Sequence, residues 1–285
     1  MTAKDKYSCY IKPNYDFSEE VCLAAFELAI KKKEQGGFVK YDKTMWQMLH
    51  CACQKGYISV IKRILTAPSL GINNAKNNKR QTLLLTALYA GQTEAVLLLL
   101  QHPQININKY GGPYKWATPF SYAISSNNMK LVLAFLDKTQ LDINKVSRLD
   151  KPTELEKYLY DDDEDVARFW GTRLTALDVA IVGKRMESIE LLLERPELDI
   201  SLGNPFYHAF LLEDKSLFER LCARGDMTDE TIEQIIGYWS NELLEKDNRL
   251  PYEYVLTNHT LLTYCKNLAP DLLIHVQSLD PTPSP

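Results

Sequence analysis

His50 stands beside Cys51, with Cys53 two residues further on. An imidazole next to thiols is the pairing that cysteine nucleophiles and zinc sites share, because the ring activates a thiolate and both groups bind zinc. Neither chemistry is completed by the rest of the chain. Cys51-Ala52-Cys53 has no second cysteine pair to close a tetrahedral site, and Cys222 and Cys265 lie far along the sequence. His102, His208, His259 and His275 show no His-Glu-x-x-His spacing, and Gly111-Gly112 runs into Pro113 instead of a helix start that could hold phosphate. The run Asp161-Asp162-Asp163-Glu164-Asp165 offers oxygen ligands, yet it lacks the spacing and the turn glycine of a calcium loop. The expectation is therefore no catalytic set, no metal and no cofactor.

The elements that position these residues repeat. Five segments open alike, at Gln47, Thr82, Thr118, Thr175 and Asn204, and each reaches an alanine five positions later: Ala52, Ala87, Ala123, Ala180 and Ala209. Nine positions after each start lie Gly56, Gly91, Asn127, Lys184 and Glu213. Glycine and asparagine suit a left-handed residue that ends a helix, whereas Lys184 and Glu213 depart, with Gly183 able to turn the chain one residue early in the fourth unit. A second apolar run follows each turn, as in Val60-Ile61 with Ile64-Leu65 and Leu131-Val132 with Phe135-Leu136, at the spacing of one helical face. Each unit then runs into a short extended segment, such as Pro103-Gln104-Ile105-Asn106-Ile107-Asn108, that leads to a projecting turn. Thr82, Thr118 and Thr175 are placed to cap the first helices, and the alanines let neighbouring helices approach closely.

Across Thr44 to Asp226 this pattern resembles the ankyrin repeat, with its Thr-Pro-Leu-His-x-Ala opening, later glycine and closing Asp-Val-Asn; Thr118-Pro119 and Thr82 with Gly91 are good matches. The resemblance implies an all-α solenoid of about five helix-turn-helix units with projecting finger loops and helical caps. It also implies that His50 bonds locally as a structural residue and that the chain binds another protein. The concave strip of finger tips and first-helix positions would hold Lys43, Trp46, Lys55, Lys79, Gln81, Tyr89, Tyr114, Lys115, Trp116 and Ser125. The irregular fingers are similar to those of repeat proteins that intracellular bacteria deliver into host cells, which implies an effector acting on a host protein in the host cytosol. A eukaryotic-type cytosolic adaptor is the alternative, and an enzyme with a cryptic Cys/His site in the C-terminal region is a further one.

Spacing also marks the breaks. The interval from Thr118 to Thr175 holds roughly twenty extra residues, so an acidic insertion at about 145–171, flanked by Tyr158, Tyr160, Phe169 and Trp170, is expected as a solvated extension of a finger. Residues 1–43 read as an N-terminal helical cap with its stripe Val21, Ala24, Ala25, Leu28 and Ala29; 44–226 as the repeats; and 227–285 as a C-terminal helical cap, or a degenerate sixth repeat, with a disordered tail. Over 285 residues, 33 Lys and Arg nearly balance 37 Asp and Glu, which argues against nucleic acid as a partner. No apolar run approaches a membrane span, so no membrane insertion is expected. The six cysteines read as reduced thiols of a cytoplasmic monomer.

Overall fold

A computed structural model describes residues 16–34, 43–66, 72–73, 81–111, 118–148, 173–212 and 214–224. The C-terminal cap, the tail, most of the acidic insertion, Glu213, Lys79, Tyr114, Lys115 and Trp116 lie outside the described residues. The chain divides into two compact units, 1–176 and 177–285.

In the first unit the helices are α1 (Glu19–Glu34), α2 (Lys43–Lys55), α3 (Ile58–Leu65), α4 (Leu83–Tyr89), α5 (Thr93–Leu99), α6 (Pro119–Ser125) and α7 (Met129–Leu136). The first helices stack α2 on α4 on α6, and the second helices stack α3 on α5 on α7. α1 packs across both α2 and α3 and buries Cys22 and Phe26. Helix starts follow the sequence pattern: Thr82 Oγ1 accepts from the Leu85 N–H at 3.2 Å, and Thr118 Oγ1 accepts from the Ser121 N–H at 3.0 Å. A two-residue antiparallel ladder, β1 (Ser147–Arg148) with β2 (Arg173–Leu174), joins the ends of the segment that carries the insertion, so its two stems are held side by side.

The second unit holds α8 (Ala176–Val182), α9 (Met186–Leu193), α10 (Pro205–Leu211) and α11 (Lys215–Ala223). Phe206 meets Phe218 edge-on with centroids 5.7 Å apart. Arg224 donates to the carbonyls of Leu193, Arg195 and Leu198, which satisfies the orphan carbonyls that follow α9.

The inter-helix turns use the expected positions, including one the sequence pattern doubts. Gly56, Gly91 and Asn127 are left-handed, with φ of 72°, 67° and 54°. Lys184 is left-handed too, at φ 52°, and Gly183 is not, so the turn stays in register in place of moving one residue early. The repeat fixes the backbone path, and the lysine tolerates it because its side chain is exposed. Lys184→Gly is expected to stabilise the protein by about 0.5–1 kcal/mol, since relief of the left-handed cost exceeds the extra chain entropy of glycine. Chemical denaturation with a midpoint at or below wild type would contradict it. Gly56 is constrained twice over, because a Cβ there would meet the Gln92 Oε1 at 2.5 Å while Gln92 Nε2 donates to the Gln54 carbonyl.

Candidate partner-binding site

The alanines five positions into each first helix are all fully buried, which sets how closely α2, α4 and α6 approach one another. That contact orients the residues at the helix ends. Trp46, near the start of α2, and Tyr89, at the end of α4, are half-buried. The Tyr89 ring meets the buried Tyr122 of α6 edge-on, with centroids 4.5 Å apart and planes at 62°. Such a pair adds about 0.5–1.5 kcal/mol and holds the Tyr89 ring in one orientation. Tyr122 is absent from the sequence-derived set; its signal was its register, the fifth residue of its unit counted from Thr118, as Thr86 is counted from Thr82.

Other members of that set fall differently. Lys55 at the end of α2 is ion-paired with Asp16 and lies 5.9 Å from the Tyr57 ring centroid; the bond to Asp16 raises its pKa. Lys43 is the first residue of α2. Gln81 and Ser125 are corrections: they are only 7% and 8% exposed, so neither presents a surface. Ser125 turns its hydroxyl back to donate to the Tyr122 carbonyl at 2.9 Å, a local bond that satisfies it inside α6. Gln81 directly precedes the capping Thr82, where the chain enters the core.

His50, Cys51 and Cys53 are all buried. His50 Nδ1 lies 2.8 Å from Thr86 Oγ1 in the next repeat, so the ring bonds a side chain across the repeat boundary. Burial pushes the Cys22 thiol up to about 11 and the Cys222 thiol up to about 12, and moves Cys53 upward as well. A nucleophilic cysteine needs the opposite shift. The described residues hold no group of three or more metal-ligating side chains, and no described helix is long and apolar enough to cross a membrane.

Residues 49–147 match the family model for ankyrin repeats (3 copies). The chain carries ankyrin repeats. One solved structure similar to it is the ankyrin repeat domain of Bcl-3, described as a unique member of the IkappaB protein family, at 20% identity and a TM-score of 0.49 over 72% of this chain and 85% of that one. Among curated proteins, none matches.

The fingers of these ankyrin repeats are stapled by asparagine. Asn73 Nδ2 donates to the Gln104 carbonyl while its Oδ1 accepts from the Asn106 N–H at 2.7 Å. One repeat on, Asn108 does the same to the Gln140 carbonyl at 2.6 Å and the Asp142 N–H at 3.0 Å. Each amide thus grips both backbone groups of the following finger, which fixes the spacing of the row. The sequence signal is the Ile-Asn pair at Ile72-Asn73, Ile107-Asn108 and Ile143-Asn144, whose isoleucines are all buried.

Proposed function

We propose that the chain is a protein-binding module that holds its partner on the concave face formed by the first helices and fingers of the ankyrin repeats. Ankyrin repeats are protein-interaction modules, and the observation that supports this face is the half-exposed Tyr89 ring held edge-on by Tyr122. An aromatic that is already oriented loses little freedom on binding, which is what makes tyrosine and tryptophan effective anchors. Trp46, half-buried on α2, supplies a second anchor of the same kind.

The test compares faces. With a partner recovered from cytosolic lysate and then purified, Trp46→Ala with Tyr89→Ala is expected to weaken binding roughly thirtyfold, the loss of about 2 kcal/mol. Glu94→Ala, exposed on α5, should change affinity less than about twofold. Helicity by circular dichroism should be retained in all variants. Full-strength binding by the double variant would remove the concave-face reading.

A further inference from the structure

The near-neutral total charge conceals a strong segregation. Between Lys43 and Leu136 the chain carries ten Lys and Arg and a single acidic residue, Glu94, a net charge of +9 within a chain whose total is −4. Lys55 and Arg63 are met by Asp16 and Glu27, acids that lie outside that stretch, and Lys62 and Lys130 are exposed. An excess of one sign on a stacked array raises the local concentration of the opposite sign and steers association.

One lysine of that excess, Lys109, and one just beyond it, Lys145, form a row. Lys109 and Lys145 each follow a closing asparagine, Asn108 and Asn144, and stand one repeat apart. Both lean back onto the preceding finger: Lys109 Nζ donates to the Asn73 carbonyl at 2.6 Å, and Lys145 Nζ lies 5.1 Å from the Tyr110 ring centroid. Asp142, 3.9 Å from Lys145, is an exposed and loose counter-charge. These ammonium groups are therefore pre-positioned, and their spacing follows the spacing of packed helices, about 8–10 Å. An extended polypeptide covers that distance in about three residues.

We propose that the row formed by Lys109 and Lys145 takes an extended acidic segment of the partner protein, with carboxylates at about every third residue. This rests on the protein-binding reading above and specifies the chemistry of its partner. A protein segment fits better than nucleic acid because the finger aromatic is not a base-stacking platform: Tyr110 is covered by Lys145, and its hydroxyl donates to the Val146 carbonyl.

The full chain is titrated, by fluorescence anisotropy, against a labelled Gly/Ser peptide of about twelve residues with glutamate at every third position. The same peptide with glutamine and an oligothymidine of equal length are the comparisons. The glutamate peptide should bind at least about tenfold tighter than either, and lose about tenfold in affinity as salt rises from about 50 to about 300 mM. Lys145→Gln should weaken it severalfold, whereas Lys130→Gln on α7 should not. Equal binding of the glutamine peptide, or tighter binding of the oligonucleotide, overturns the proposal. So does a purified native partner that is lost by the Trp46/Tyr89 variant but indifferent to Lys145→Gln and to salt; in that result the protein-binding reading stands and only the acidic segment falls.

Discussion

Replacing Asp178 with alanine is expected to destabilise the second unit by about 3–5 kcal/mol, a large share of the stability of an ordinary domain. Asp178 and His208 are both fully buried, with Asp178 Oδ1 3.0 Å from His208 Nδ1. The same oxygen accepts from the Asn204 N–H at 3.0 Å, at the entry to α10. One carboxylate thus ties α8 to the start of the next repeat, and removing it takes this acceptor from the buried His208 ring and from the half-buried Asn204 N–H. Gly203 is shaped around it: at φ 75° it is left-handed, and a Cβ there would lie 1.8 Å from Asp178 Oδ2. Gly203→Ala should therefore be comparably damaging, since strain adds to a clash that no rotamer relieves while the carboxylate stays bonded. Asp178→Asn keeps an acceptor for the Asn204 N–H and should cost less than alanine. In urea unfolding followed by circular dichroism, an unchanged midpoint for Asp178→Ala would refute the arrangement.

The Asp178–His208 link occupies the same register as His50–Thr86, fourth position of one repeat to fifth position of the next. That shows what was legible and what was not. Starts, alanines and turns follow from spacing, because stacking forces every repeat to use the same core positions; Lys184 obeys the register against its own preference. Contacts between repeats depend on two positions some thirty residues apart, and a motif read within one repeat does not reveal them. Gln81 and Ser125 lie deeper than their register implies for a related reason: a register names a face, but the depth of a side chain depends on its neighbours and on local bonds such as Ser125 to Tyr122. The β1–β2 ladder at the base of the insertion had no sequence signal beyond its length, since two residues are too few for periodicity. Charge was legible and was missed, because the whole-chain sum averages a basic array against acidic segments elsewhere.

Enlarging Ala87 or Ala123 to leucine is expected to cost about 1–3 kcal/mol, because each fills the fully buried contact between stacked first helices with extra carbons. Ala90→Leu, half-buried just past α4, should stay within about 0.5 kcal/mol and controls for added hydrophobicity. The consequence for binding separates the two sites. Ala87 lies two residues before Tyr89 on the short helix α4, and Ala123 is adjacent to Tyr122 on α6, so a shift of either helix moves one ring of the edge-on pair against the other. Each substitution should then lower partner affinity as well as the unfolding midpoint, even at temperatures where the variant remains fully folded. Comparison with Lys184→Gly, which alters stability far from that pair in sequence and in the other compact unit, tells the two effects apart. If Ala87→Leu and Ala123→Leu leave the midpoint at the wild-type value, the alanines do not sit at the helix contact and the repeat register itself is displaced. If they lower the midpoint but bind at full strength well below it, Tyr89 is not an anchor, and recognition rests on the fingers alone.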